Sequence, residues 1–178
     1  MAVETKSERR RQLIEAAGTF LLRVAGIRGV RRIALLGSLT TGKTMPKDVD
    51  LLVTVDDDAD LTALARAGRQ LMGGLQSRSS GADVFLANPQ GEYIGRLCQW
   101  RECAAGIRRG CDALNCGRRE FLHDDFGSIR LPASLVQAPP VDVWPVFLAR
   151  KRLPPDLRAA LKPWEESGTA GQVLEHRP

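Results

Sequence analysis

Long apolar stretches are missing from this chain of 178 residues. No run approaches the roughly 20 residues that a bilayer crossing requires, so no membrane partner is expected. Met1 to Arg11 carries basic side chains without an apolar core or a small-residue cleavage site behind them. That argues against a secretory signal and for a cytoplasmic location. Cysteine is scarce: four residues are too few for a disulfide scaffold, and all fall between Cys98 and Cys116. Internal repeats and low-complexity tracts are absent as well, which excludes a repeat array.

What is present is ordinary for a globular protein, 43% hydrophobic and 26% charged. The length suffices for one well-packed domain, with or without a small appendage. The formal net charge of +5 eases the approach of acidic partners such as nucleotides, RNA or DNA. A solvated basic helix surface explains the same excess equally well.

Leu13, Ile14, Ala17, Phe20, Leu21 and Val24 recur at helical spacing, with Arg9, Arg10, Arg11 and Glu15 at polar positions, so Ser7 to Ala25 reads as an amphipathic helix ended by Gly26 and Gly29. Arg32 to Leu36 is a short apolar strand entering a Gly37-Ser38 turn. Val49 to Val55 is a second strand. Asp60 is placed to cap a helix reaching about Leu75, with Leu61, Leu64, Ala65, Leu71, Met72 and Leu75 inward and Gly73-Gly74 fraying its last turn. Ala82 to Ala87 is a third strand, closed by Asn88-Pro89. The class is therefore α/β (α+β), a small mixed β-sheet flanked by helices. Residues 1–90 form the expected core and 91–130 a Cys- and Arg-rich segment. Residues 131–178 form a Pro-rich tail of short helices and extended linkers, with Pro163 to Pro178 expected to lack fixed structure.

Three carboxylates sit at strand positions. Asp48 and Asp50 are two apart, so an extended chain points both to one face. If Asp83 on the third strand lies beside them, three hard oxygen donors meet, a set suited to Mg²⁺ or Mn²⁺. Two such cations about 3.5–4 Å apart can activate an attacking hydroxyl and stabilise a leaving pyrophosphate. Taken singly, these aspartates could equally flank solvated strand ends. Gly37 permits a tight turn and close backbone approach, and the Ser38 hydroxyl can hold a phosphate oxygen.

Leu36-Gly37-Ser38, nine intervening residues, then Asp48-Val49-Asp50-Leu51 resembles the signature of the DNA polymerase β-like nucleotidyltransferase superfamily. The resemblance covers about Arg31 to Ala87 and is strongest to its small stand-alone members. Some of those act in toxin–antitoxin pairs or on small molecules such as antibiotics. It implies the nucleotidyltransferase fold and a metal-dependent transfer of NMP from an NTP, such as ATP, to a hydroxyl, with release of pyrophosphate. The implied acceptor is a protein side chain, an RNA 3′ end or a small molecule. By the same resemblance Gly37 and Ser38 hold the triphosphate, Asp48 and Asp50 ligate both cations, and Asp83 completes the site and assists deprotonation of the acceptor. Many small members carry an arginine where this chain has Thr41, before Gly42; Lys43 is the candidate substitute cation. A regulatory or antitoxin-like member that binds a protein partner is the second reading.

Gly37 to Thr44 also satisfies the P-loop pattern, with Lys43 and Thr44 in the lysine and threonine places. A P-loop must open directly into a helix that receives the phosphates. Pro46 follows too soon for that, and the residues before Val49 are too few for a parallel crossover.

Cys98-x4-Cys103 and Cys111-x4-Cys116 form two matched pairs, with His123 as a substitute ligand. Structural Zn²⁺ and four reduced thiols are the two readings. Trp100 among Arg101, Arg108, Arg109, Arg118 and Arg119 suits nucleobases or RNA, although solubility is the commoner reason for such arginines. Asp124-Asp125 can cap or pair with them. Trp144 and Trp164 are expected to anchor the tail to the core.

Overall fold

Thr5 begins the first helix, α1 (Lys6–Val24). Its hydroxyl accepts from the Glu8 amide at 3.2 Å, half of a capping box that closes a donor left over at the helix start. The six apolar residues expected to face inward are all buried. Arg10, read from the sequence as a surface position, is buried with them. The architecture comes from a computed structural model that describes residues 5–76, 80–103, 119–124, 127 and 129–167.

The chain continues through β1 (Val30–Leu35), a 3-10 turn at Ser38–Thr40, β2 (Asp48–Val55), α2 (Leu61–Gln76) and β3 (Gly81–Ala87). Asp60 caps α2 as its position suggests, its Oδ1 accepting from the Ala63 amide at 3.0 Å. The helix passes through Gly73-Gly74 to Gln76 rather than fraying there. Burial of Leu71 and Leu75 offsets the roughly 1 kcal/mol that each glycine costs a helix. β4 (Tyr93–Leu97), β5 (Leu122–His123), α3 (Ala133–Gln137), β6 (Val141–Trp144), β7 (Leu148–Ala149) and α4 (Pro155–Glu166) complete the described elements.

All seven strands join one mixed sheet in the order β5-β4-β3-β2-β1-β6-β7. Only β2 and β3 run parallel; the other neighbours are antiparallel. The parallel pair needs a crossover, which α2 supplies. The tail, expected to hold only helices and linkers, thus also contributes β6 beside β1. Pro163 lies inside α4, so 163–166 is helical; residues 168–178, including His176, fall outside the described residues.

The two faces of the sheet differ. Val49, Leu51, Val53 and Val55 of β2 and Val84 and Leu86 of β3 point into the main core under α1, α2 and α4. The opposite face carries a smaller cluster of Ala34, Leu36, Leu52, Phe85, Ala87 and Val136. Strand alternation places Asp48, Asp50 and Asp83 on this second face. Among the described residues no helix is long and apolar enough to cross a membrane.

Candidate active site

β1 runs into Leu36, whose amide donates to the Asp50 carbonyl at 2.9 Å and so ties the following turn to β2. Gly37 then takes φ +64°, and a Cβ built there would lie 1.8 Å from Asp50 Oδ2. A residue without a side chain is therefore required twice over: for the left-handed backbone and for the Asp50 carboxylate lying against it. In the 3-10 turn the Thr40 hydroxyl donates to the Gly37 carbonyl at 2.8 Å and the Thr41 hydroxyl to the Ser38 carbonyl at 2.7 Å. Both threonines are thus committed to the turn itself. The Ser38 hydroxyl has no partner among the described residues and is the one left to meet a ligand. Lys43 is exposed, and its ammonium is likewise unpaired among the described residues.

No helix follows Thr44. The chain enters β2, which runs antiparallel to β1, so the P-loop pattern in 37–44 does not build a P-loop.

β2 and β3 align Asp48 with Gly81 and Asp50 with Asp83. Neighbours in a parallel pair share a face, so Asp50 and Asp83 stand side by side. The Asp50 carboxyl is pushed up to about 6 by burial first, then by the charges of Asp83 and Asp48. Among the described residues no hydrogen-bond donor relieves it. Its two companions are engaged. Asp48 Oδ1 accepts from the Gly81 amide at 3.0 Å, and Asp83 Oδ1 lies 3.5 Å from an Arg96 Nη1. Among the described residues no group of three His, Cys, Asp or Glu side chains is arranged to hold a metal ion as the side chains stand. In donor chemistry the set still fits a hard divalent cation: three carboxylates in one electrostatic cluster, with the central one starved of positive charge.

Arg96 belongs to none of the sequence motifs. It sits on β4 opposite Phe85, which puts it on the carboxylate face. The only signal in the sequence is an arginine interrupting the apolar stretch Tyr93-Ile94-Gly95-Arg96-Leu97. His123 pairs with Arg96 across β4 and β5, so it belongs to this face of the sheet.

The cysteine segment is described only in part. Cys98 and Cys103 are partly buried thiols outside any disulfide, and Cys103 Sγ accepts from the Phe121 amide at 3.4 Å. Cys111 and Cys116, needed for the zinc reading, lie outside the described residues, as do Arg108, Arg109, Arg118 and Asp125. Trp100 is exposed, and its carbonyl accepts from Arg69 at 2.8 Å. Arg119 donates to the Asp56 carbonyl at 2.6 Å, a structural use. Trp144 and Trp164 pack, partly buried, against the main core, which is the anchoring expected of them. Compared with protein-family models, with curated proteins and with solved structures, the chain finds no match in any of the three.

Proposed function

We propose that the chain is a metal-dependent nucleotidyltransferase that moves an NMP from an NTP to a hydroxyl acceptor. The observation that carries this is the Asp50–Asp83 register on parallel strands, with Asp50 seated against Gly37 and its carboxyl raised to about 6. Unrelieved negative charge beside a glycine turn with an unpartnered hydroxyl supports a site that takes cations and phosphate together.

In this reading Ser38, the turn amides and Lys43 take the triphosphate. Asp48, Asp50 and Asp83 would hold Mg²⁺ or Mn²⁺, with Asp48 and Asp83 exchanging their present partners Gly81 and Arg96 for the cation. A divalent cation held there would supply positive charge to the phosphate oxygens and ease deprotonation of the acceptor. Asp83, side by side with Asp50 on β3, receives the acceptor proton. The acceptor oxygen attacks the α-phosphorus, the new P–O bond forms, the bond to the β-phosphate breaks, and pyrophosphate leaves. Arg96 is then released to pair with substrate phosphate or acceptor.

The test is incubation of the purified chain with Mg²⁺ and each of the four α-labelled NTPs, with cell extract supplying protein, RNA and small-molecule acceptors. Label transfer that requires Mg²⁺ is expected, with D50N lowering it by at least about a hundredfold. No transfer from any NTP overturns the proposal. One observation favours a second reading, a partner-binding regulator such as an antitoxin-like member: both flanking carboxylates are already engaged by protein groups. Absence of transfer with retained partner binding would support it.

A further inference from the structure

Arg10 is a buried cation on the second turn of α1, only 8% exposed. Burying a guanidinium is costly unless its donors are matched, and here they are matched by two distant segments. Nε donates to Asp156 Oδ2 at 2.5 Å, and one Nη donates to Asp156 Oδ1 at 3.3 Å, a fork on one carboxylate. The same Nη reaches the Leu39 carbonyl at 3.0 Å, and the other Nη reaches the Lys43 carbonyl at 3.2 Å. Asp156 stands in the first turn of α4, where its Oδ1 also accepts from the Leu157 amide at 2.8 Å. Burial alone would raise the Asp156 carboxyl; the hydrogen bonds and charge of Arg10, with the Leu157 amide, outweigh it and hold the group below the ordinary carboxylate range.

The tie matters because of what it fixes. Residues 41–45 are exposed, and beyond local turn bonds Arg10 is their hydrogen-bonded link to the helices among the described residues. A peptide unit is planar and trans, so its carbonyl and amide point in opposite directions. Anchoring the Lys43 carbonyl inward on Arg10 therefore turns the Thr44 amide outward, and that amide donates to no group among the described residues. The charge of Arg10 is spent on Asp156, so Arg10 is no phosphate ligand itself. Arg10 makes four hydrogen bonds from three nitrogens of one planar fork, whereas a lysine ammonium has three donors on a single atom and cannot reproduce all four.

We infer that Arg10, locked by Asp156, is the positioning residue that holds the 38–44 loop in the form that receives the triphosphate. This rests on the nucleotidyltransferase reading above. The test compares wild type with R10K and D156N in three measurements: affinity for each Mg·NTP by calorimetry, binding of Mn²⁺ alone by electron paramagnetic resonance, and amide hydrogen exchange along the chain. R10K should bind the Mg·NTP about tenfold more weakly or worse, with faster exchange confined to 38–44. Mn²⁺ binding and exchange in β2 and β3 should stay unchanged, and D156N should move in the same direction by less. If R10K does not fold, D156N decides by the same criteria. Wild-type affinity in the variants, or faster exchange spread through the whole sheet, overturns the inference alone. A wild-type chain that binds none of the four NTPs overturns the nucleotidyltransferase reading and this inference with it.

Discussion

Burial and the charges of its neighbours make Asp50 a pH-dependent cost to the stability of the fold. Its carboxyl titrates near 3.8 in the unfolded chain and about 6 in the fold. Between those values the folded chain binds the extra proton, so stability is fully present below the unfolded value and falls as pH rises through the folded one. In metal-free protein D50N should therefore melt above wild type at pH 7.5, with the gap closing towards pH 4. Melting curves across that range check it; equal melting temperatures at pH 7.5 would count against the crowded carboxylate cluster. Gly37 allows a second prediction. G37A places a side chain at φ +64° and against Asp50 Oδ2, which should cost roughly 1–3 kcal/mol in denaturant unfolding and weaken cation binding by displacing Asp50. Gly37, Asp48 and Asp50 were legible in sequence because glycine turns and period-two alternation are local rules; Asp83 came with the family resemblance, since its place beside Asp50 is a cross-strand register. Arg10 and Arg96 were not. Each takes its role from a partner 13 or more residues away, Asp83 for Arg96 and Asp156 for Arg10.

At the scale of elements, α1, α2 and the first three strands were readable because each carries its own apolar period and its own cap or turn. β6 was hidden. It has four residues, Val141 to Trp144, between Pro140 and Pro145, and prolines at both borders read as a linker although strand ends tolerate them. What seats β6 is nonlocal. Asp142, 7% exposed, accepts from Arg32 Nε at 2.5 Å and from an Arg150 Nη at 2.7 Å, while Arg32 also donates to the Val136 carbonyl at 3.0 Å. This network joins β1, α3 and β6 on the carboxylate-bearing face. Removing its only acid strands two partly buried guanidinium groups, so D142A should lose on the order of 3 kcal/mol in urea unfolding. A loss under about 0.5 kcal/mol would mean that solvent replaces Asp142 freely.

The whole molecule is lopsided in a way that suits its proposed work. Three helices cover one face of the sheet over the main core, and that side gives rigidity. The other face holds a small apolar cluster and the row of acids. A chain of net charge +5 keeps a local pocket of negative charge, which attracts cations to one spot while the surface as a whole does not repel a nucleotide. In the proposed function Asp48, Asp50 and Asp83 form a divalent-cation site that works with a triphosphate. Titration of the full chain with Mn²⁺ by electron paramagnetic resonance, with and without an NTP, tests it most directly. Saturable binding is expected that tightens when the NTP is added, weakens below pH 6 as Asp50 takes up a proton, and is lost in D50N. Binding that is absent, or that is equal in wild type and D50N, would contradict it.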